Sequence, residues 1–333
     1  MLSPDTSPHQ VVCAIDSNMA YALIVVVSSL KSAESSPFDL TVGYLDNTLP
    51  ESDRQFITRA CAHLGVTVIF MVLASDARFI TQGHISPTTF AKFLLADALP
   101  EAHLWLDADT IASSGWDTIF EDIDRATLDE GLVAARRGTS SPKASQNAST
   151  ELTFNAGVLG WPAGQRRNWR EPLDSLEVVD TQEQFLFNLL YAKSARFVSE
   201  RFNTLTYRLD TIPAADPPFI IHYAGAHKPW HLRRPLAHHC TEYRCPWSAW
   251  FRAESHLLEG AGGTPLAQEL ATRQHQALRT GRVRWQRDHS GYLLLRLLTA
   301  LGPLSPSIVF LLRAFSRWAP GGTHPLHERF RGK

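Results

Sequence analysis

The sequence contains little cysteine and no unbroken hydrophobic run of membrane-spanning length. Four cysteines in 333 residues are too few for a disulfide-stabilised scaffold. Cys240 and Cys245 follow His238 and His239, but the C-x2-C pairing and the second ligand pair of a structural zinc site are missing. We therefore expect reduced thiols, and no zinc, at these positions.

Signals for secretion and for membrane spanning are also missing. Leu297–Leu312 is apolar, but it is only 16 residues long and contains Pro303 and Pro306, so it is too short and too broken for a spanning helix. Met1–Asp5 carries neither the basic nor the apolar segment of a secretory signal. We therefore expect a cytoplasmic protein.

The sequence has almost no net charge, because its positive and negative residues nearly cancel to a formal net charge of -1, but the charges are unevenly distributed. Residues 252–333 hold 12 Lys and Arg against 5 Asp and Glu. Residues 264–284 have a helical pattern, and residues 283–333 place arginines beside Trp, Leu and Phe. Such a segment either makes a peripheral contact with the inner face of a membrane or packs on the main domain as a helical appendage. We find no RNA- or DNA-binding motif and expect no nucleic-acid partner.

What the sequence does contain is a regular alternation of β-rich and helical segments. With 44% hydrophobic residues, the chain can form one large domain, alone or with an appendage. The predicted order is strand Val11–Ile15, helix Tyr21–Leu30, strand Asp39–Leu45, helix Pro50–Leu64 and strand Val66–Leu73. This alternation predicts an α/β fold in which helices cover both faces of a parallel sheet.

Further elements are predicted along the rest of the chain. They are a helix over Phe90–Leu99 capped near Thr88 or Thr89, strands at Leu104–Leu106, Phe154–Gly160 and Phe219–Ile221, and a helix over Thr181–Ala192. The apolar residues of this last helix are expected to face inward: Phe185, Leu186, Leu189 and Leu190. Residues 136–150, rich in Ser, Gly, Lys and Asn, are predicted to form either a solvated surface loop or a lid over a ligand.

Asp107 and Asp109 end an apolar strand one residue apart. Side chains at i and i+2 of extended backbone point the same way, so the two carboxylates can converge on one cation while Ala108 leaves space. Mg²⁺ or Mn²⁺, with a phosphate completing the coordination shell, suits such oxygen ligands. Because Asp is also common in turns, a metal-free turn is the alternative interpretation.

A second polar cluster follows the predicted strand Phe219–Ile221. It runs from His222 through Gly225 and His227 to Lys228. Histidine can bind a metal, and lysine can neutralise a phosphate as a point charge. The pattern therefore indicates a phosphate-binding loop, although any one of these histidines, taken alone, is more often a core residue.

Six short motifs occur in order along residues 10–232. They are Ala14-x-Asp16-x-Asn18, His84-Ile85-Ser86-x-Thr88-Thr89-Phe90-Ala91, Leu106-Asp107-Ala108-Asp109, Phe154-Asn155-Ala156-Gly157-Val158, Glu183-Gln184 and His222-Tyr223-x-Gly225-x-x-Lys228-Pro229-Trp230. Together they resemble the family 8 glycosyltransferases, which include bacterial lipopolysaccharide galactosyl- and glucosyltransferases and glycogenin. Residues 233–333 would then form a basic, aromatic and mainly helical C-terminal region.

The resemblance implies a GT-A fold, with a mixed, mostly parallel sheet built around a nucleotide-binding half. It also implies a UDP-sugar donor, Mn²⁺ (with Mg²⁺ as the alternative ion) and retention of the anomeric configuration. By position, Asp107, Asp109 and His222 would bind the metal. The donor would be bound by Ala14, Asp16 and Asn18 at uracil and ribose, by Asn155, Ala156 and Gly157 along ribose and sugar, by Gly225 and Lys228 at the diphosphate, and by Lys92, Asp107 and Ala108 nearby.

Three positions depart from the usual family pattern. Met19 stands in place of a Tyr that stacks on uracil, Lys92 in place of an Arg, and Glu183 in place of an Asp beside the sugar. Lysine offers a point charge where arginine offers a bidentate fork. The resemblance therefore indicates the donor nucleotide more firmly than the donor sugar, and the transferred hexose would be either galactose or glucose.

The implied reaction transfers the hexose to a hydroxyl of a glycan, glycolipid or lipopolysaccharide-type acceptor. Metal and Lys228 would stabilise the leaving diphosphate, and the acceptor would attack the face that the diphosphate leaves. Gln184 would steady the oxocarbenium-like sugar; in the alternative, Glu183 acts as a transient nucleophile. Two other functions are less favoured: a nucleotide-sugar-binding protein without activity, and a nucleotidyltransferase, for which a glycine-rich, lysine-containing loop after the first strand is missing.

Overall fold

The computed structural model describes residues 7–136 apart from 77 and 80–85, residues 154–225 apart from 165, 176–181 and 214, and residues 228–231 and 247–288. The strands in this part of the chain are β1 (His9–Ala14), β2 (Phe38–Leu45), β3 (Val68–Leu73), β4 (His103–Leu106), β5 (Thr110–Ala112), β6 (Val133–Arg136), β7 (Phe154–Trp161), β8 (Arg196–Val198), β9 (Thr204–Leu205) and β10 (Ile220–His222). The α-helices are α1 (Ala20–Ala33), α2 (Glu51–Leu64), α3 (Ala91–Ala98), α4 (Ile119–Arg125), α5 (Arg170–Ser175), α6 (Gln182–Tyr191), α7 (Ser248–Gly260) and α8 (Pro265–Asp288).

Seven strands form a mixed sheet in the order β3-β2-β1-β4-β7-β6-β8. β7 runs antiparallel to its neighbours β4 and β6, and the other neighbouring pairs are parallel. A smaller sheet has the order β5-β10-β9, in which β10 is antiparallel to β5 and parallel to β9. The mostly parallel sheet expected from the alternating pattern is therefore confirmed, with one reversed strand beside β4.

Alternating side chains of the central strands divide the core between two faces of the large sheet. In β1, Val11 and Cys13 belong to one apolar cluster and Val12 to the other. The first cluster contains residues of α1, α2, α4, α7 and α8, and the second contains residues of α3, α5 and α6. Strands covered on both faces produce this division because successive side chains point in opposite directions.

Two predicted details of the helices are wrong. The helix cap is Ser86 rather than Thr88 or Thr89: Ser86 Oγ accepts a hydrogen bond from the Thr88 amide at 3.2 Å, and a 3-10 turn from Pro87 leads into α3. Proline suits this first helical position because its φ is already helical.

The second detail concerns α6. Leu186 is buried and Leu190 is partly buried, but Phe185 and Leu189 are 49% and 57% exposed, so the four apolar residues do not all face inward. Residues four apart share one face of a helix. Only the face with Leu186 and Leu190 packs on the sheet, because an amphipathic helix buries a single stripe.

The C-terminal helices α7 and α8 pack on α1 and share its core. Trp250 and Leu257 of α7 and Leu270 of α8 belong to the same apolar cluster as α1. The hydroxyl of Tyr21 in α1 donates a hydrogen bond to Glu254 Oε1 at 2.6 Å. The helix predicted over residues 264–284 is confirmed as α8, and none of the described helices is long and apolar enough to cross a membrane.

Helix α8 also contacts α2 and the segment that follows β10. Arg273 Nη1 pairs with Asp53 Oδ1 of α2, and Asp53 Oδ2 accepts a hydrogen bond from the Ser17 hydroxyl at 2.5 Å. Farther along α8, a Cβ atom added at Gly281 would lie only 2.3 Å from the Cβ of His231. The helix therefore packs directly against the segment after β10 and is linked through Asp53 to Ser17, in the segment after β1.

Candidate active site

Polar residues at the carboxyl ends of β1 and β4 lie along one edge of the large sheet. β1 ends at Ala14, and the adjacent parallel strand β4 is followed by Asp107. Asp16 Oδ1 accepts a hydrogen bond from the Asn18 amide at 2.9 Å, which closes a tight turn and leaves Asn18 exposed. In open α/β sheets, ligands bind beyond the carboxyl ends of the strands. The residues predicted to hold the nucleoside thus lie at the edge where a ligand is expected.

Asp107, Asp109 and His222 form a cluster where the two sheets meet. The two aspartates lie between β4 and β5, and His222, the last residue of β10, pairs with Thr110 at the start of β5. One ligand atom from each of the three side chains lies within 4.8 Å of the others. His222 Nε2 is 3.3 Å from Asp109 Oδ1 and 3.8 Å from Asp107 Oδ2. The predicted metal ligands are therefore close together in space, and this metal-ligand cluster is buried except at Asp107.

The donor set of the metal-ligand cluster fits a divalent cation. Asp109 Oδ1 is buried and has no hydrogen-bond partner among the described residues. Leaving a buried carboxylate oxygen unpaired is costly, and a cation at this position would remove the cost. Burial raises the pKa of Asp109, but the positive charge of Lys228 outweighs it and holds the pKa below its ordinary value. Asp109 is therefore ionised, as a metal ligand must be.

Gly157 of β7 lies directly against the His222 ring. A Cβ atom at Gly157 would be 2.1 Å from His222 Cε1 and 2.5 Å from Nδ1. The carbonyl of Gly157 also accepts a hydrogen bond from the Asp107 amide at 2.8 Å. Gly157 thus contacts two members of the metal-ligand cluster. Its neighbour Ala156 is 1% exposed and packs in the second apolar cluster. The contact of Ala156 and Gly157 with the donor stays a prediction.

Lys92 is buried between two carboxylates. Its side chain is 2% exposed, and Nζ lies 3.1 Å from Asp107 Oδ1 and 3.2 Å from Glu183 Oε1. Burial lowers the pKa of Lys92, but the two carboxylates raise it more, so the ammonium group stays charged. The indole Nε1 of Trp105 donates a hydrogen bond to Asp107 Oδ1 at 2.9 Å. Lys92 therefore links the metal-ligand cluster to Glu183, and Trp105 helps to orient Asp107.

Of the two residues predicted to bind a diphosphate, Lys228 contacts the metal-ligand cluster and Gly225 lies three residues after His222 in the chain. Lys228 Nζ pairs with Asp109 Oδ2 and donates a hydrogen bond to the Tyr223 carbonyl at 2.9 Å. Gly225 has a φ of 107°, a left-handed conformation that glycine adopts without a Cβ clash. The loop therefore places a positive charge at one side of the candidate cation site.

Gln184 belongs to a row of amide side chains that ends at His222. Asn155 Nδ2 donates to Gln184 Oε1 at 2.9 Å, and Asn203 Nδ2 donates to Asn155 Oδ1 at 3.0 Å. Asn203 Oδ1 lies 3.0 Å from His222 Nδ1. No sequence pattern indicates Asn203, because its contact with His222 arises only when β9 pairs with β10.

The match to a known family covers most of the chain. The model of the family described as Glycosyl transferase family 8 matches residues 10–233. The chain belongs to glycosyl transferase family 8. The resemblance of the six motifs is thereby confirmed, and the protein is a glycosyltransferase.

Relatives of this family 8 member share its fold at low sequence identity. The chain is 24% identical over 275 residues to a lipopolysaccharide 1,3-galactosyltransferase of Salmonella typhimurium, covering 73% of this chain and 80% of the relative. Galactosyltransferase LgtC, solved with donor and acceptor sugar analogues, superposes with a TM-score of 0.58 at 23% identity, over 77% of this chain and 96% of LgtC. Glycosyltransferase GlyE of Streptococcus pneumoniae gives 0.52 at 22% identity, over 68% and 56%. These likenesses confirm the GT-A fold.

Several sequence features of this family 8 member lie outside the described residues. They are His84 and Ile85 of the second motif, most of the predicted loop at residues 136–150, His227, the pair Cys240 and Cys245, and residues 289–333 of the predicted membrane-contact segment.

Proposed function

We propose that this glycosyltransferase moves a hexose, galactose or glucose, from a UDP-sugar to a hydroxyl of a glycan or lipopolysaccharide-type acceptor, with retention of configuration. The observation that carries the proposal is the metal-ligand cluster of Asp107, Asp109 and His222 at the carboxyl end of β4, next to the Asp16 turn at the end of β1. If the nucleoside binds at that turn and a cation binds at the cluster, the diphosphate that joins nucleoside and sugar lies between them and is held by the cation. The names of the two galactosyltransferase relatives support the sugar and the acceptor class.

In this proposal, Ala14, Asp16 and Asn18 hold the uridine. Asp107, Asp109 and His222 hold Mn²⁺ or Mg²⁺, which supplies Lewis-acid stabilisation of the leaving diphosphate. Lys228 leaves its pair with Asp109 to bind the diphosphate, and the left-handed backbone at Gly225 allows the loop to approach it. The donor is further lined by Asn155, Ala156, Gly157, Ala108 and Lys92.

The proposed reaction breaks the bond between the sugar carbon and the diphosphate oxygen and forms a bond to the acceptor oxygen on the same face. A phosphate oxygen of the departing UDP takes the proton of the acceptor hydroxyl. Gln184, oriented by Asn155, steadies the positive charge that develops on the sugar. An active-site mutant of LgtC carries glutamate in place of glutamine, which supports a role for a glutamine in that enzyme and, by extension, here. Glu183 is the less favoured nucleophile because its pair with Lys92 lowers its reactivity.

The test is release of UDP from a series of UDP-sugars, with and without Mn²⁺. We expect the wild-type protein to release UDP only with a divalent cation, fastest from UDP-galactose or UDP-glucose. Asp109→Asn should lower the rate by more than about 100-fold, because it removes a direct ligand. Asp216→Asn, at an exposed carboxylate, is the matched control. Equal, metal-independent release by wild type and Asp109→Asn would refute the proposal, and pyrophosphate release from a nucleoside triphosphate would indicate a nucleotidyltransferase.

We also propose that residues 10–232 form the catalytic domain and that residues 283–333 place it on the inner, cytoplasmic face of a membrane. The basic and apolar composition of that segment supports the second part. Removal of residues 289–333, which leaves α8 complete, should shift the protein from the membrane pellet to the supernatant. An unchanged distribution between the two fractions would contradict it.

A further inference from the structure

Each amide between His222 and Gln184 is held in one orientation by a backbone group. Asn155 Oδ1 accepts a hydrogen bond from the Gly157 amide at 3.0 Å, and a backbone N–H can only donate. Asn203 Nδ2 donates to the Asn155 carbonyl at 3.1 Å, and a backbone carbonyl can only accept. Neither side-chain amide can therefore be turned over without losing a backbone hydrogen bond.

These orientations determine which nitrogen of His222 carries the proton. Because the NH2 group of Asn203 is bonded to Asn155, its oxygen faces His222 Nδ1 at 3.0 Å. An amide oxygen only accepts, so the Nδ1 atom must be the protonated nitrogen. In neutral imidazole, Nε2 then has a free lone pair, and Nε2 is the atom that faces Asp109 and Asp107.

The same row determines the orientation of Gln184. With Asn155 Oδ1 facing Gly157 and Asn203, the NH2 group of Asn155 is left to donate to Gln184 Oε1 at 2.9 Å. The row therefore connects His222 to Gln184 through Asn203 and Asn155. At each step an N–H group of one side chain donates to an oxygen of the next.

We propose that Asn203 is a positioning residue that holds His222 in its Nδ1-protonated tautomer, with Nε2 free for the metal, and that Asn203 and Asn155 together orient the Gln184 amide. The part that concerns Gln184 rests on the proposed transferase function. The part that concerns the tautomer of His222 does not depend on it.

The tautomer can be observed directly in metal-free, full-length protein labelled with ¹⁵N-histidine, at a pH where histidine is neutral. Long-range ¹H–¹⁵N spectra distinguish the protonated nitrogen, and the signal lost in His222→Gln identifies His222 among the 14 histidines. We expect Nδ1–H in the wild-type protein. Protonation at Nε2 would overturn the proposal, whether or not any Asn203 variant folds.

Metal affinity provides the second readout, measured by titration with Mn²⁺ without donor. Asn203→Leu removes the acceptor for Nδ1–H and should weaken Mn²⁺ binding about 10- to 100-fold. Asn203→Asp keeps an acceptor for Nδ1–H, but it loses the two hydrogen bonds that the Asn203 NH2 group donates to Asn155, so its Mn²⁺ affinity should lie above that of Asn203→Leu without reaching that of wild type. Asn203→Leu binding Mn²⁺ as tightly as wild type would overturn the proposal.

Asn188→Leu is the matched control, because Asn188 is another partly buried amide whose hydrogen bonds go to the backbone of Phe154 and Gln184 and not to His222. Its Mn²⁺ affinity should be that of wild type, and equal weakening in Asn188→Leu and Asn203→Leu would count against a specific role of Asn203. Failure of UDP release in a protein with Nδ1–H and normal Mn²⁺ affinity would refute the proposed function and leave the part of the inference that concerns His222 standing.

Discussion

The contact between His222 and Gly157 leaves no room for a side chain on β7. We predict that Gly157→Ala lowers Mn²⁺ affinity and the rate of UDP release by about tenfold or more, because the new Cβ atom displaces the His222 ring from its present position. Titration with Mn²⁺ and the UDP-release assay measure the two effects.

Gly160 on the same strand offers a control. A Cβ atom there would meet Ile123 Cγ1 at 2.5 Å, in the core and away from the metal-ligand cluster. Gly160→Ala should lower the urea midpoint of unfolding without weakening Mn²⁺ binding. Equal Mn²⁺ affinity in both variants would contradict the role assigned to Gly157.

Lys92 neutralises two carboxylates within the protein, so its removal should affect stability as well as activity. We predict that Lys92→Met lowers the free energy of unfolding by about 3 kcal/mol, because Asp107 and the buried Glu183 lose their shared cation. Urea unfolding measures the loss, and Lys92→Met combined with Glu183→Gln should recover part of it. A variant with normal stability and only a raised KM for the donor would show that Lys92 acts as a donor contact alone.

At the scale of elements, α8 packs on α1 and α2, which follow two of the strands of the large sheet. We predict that Arg273→Met lowers the free energy of unfolding by about 3 kcal/mol, because Asp53, 4% exposed, loses its charged partner. Arg59→Met should cost less than about 1 kcal/mol, because the Arg59–Glu269 pair between the same two helices is more exposed. Equal losses in urea unfolding would contradict this ranking.

Elements with clear periodicity could be predicted from the sequence, and contacts between distant elements could not. Strand β2 and helix α2 lie within one residue of their predicted ends, because alternation and amphipathic spacing are local signals. The reversal of β7 and the pairing of β9 with β10 depend on which strands meet, which no window of sequence contains. Within the site, the motifs indicated Asp107, Asp109 and His222, but Asn203 required the β9–β10 pairing.

At the scale of the whole molecule, buried His103 makes stability depend on pH. His103 is 1% exposed, its Nδ1 lies 2.8 Å from the Glu101 carbonyl, and Nε2 has no hydrogen-bond partner within the described structure. Burial lowers the pKa of His103 to about 4. As the pH falls below about 6.5, the ordinary pKa of histidine, the unfolded chain binds a proton before the folded protein does.

We therefore predict that the stabilisation of the folded protein by neutral, buried His103 is fully present above pH about 6.5 and is lost as the pH falls towards 4. The loss in free energy of unfolding is on the order of 3 kcal/mol. His103→Gln removes the titrating group, so its urea midpoint should fall less than that of wild type across this pH window. Parallel curves for the two proteins would assign the acid sensitivity to other groups.

The metal-ligand cluster takes two ligands from the connection between β4 and β5 and the third from the end of β10. Asp109 and His222 are 113 positions apart in the chain. During synthesis, a nascent chain that stops before β10 carries both carboxylates but lacks the strand that completes the small sheet. Under the proposed function, partly made molecules would therefore lack the cation site, and acquisition of Mn²⁺ binding would report that the small sheet has closed.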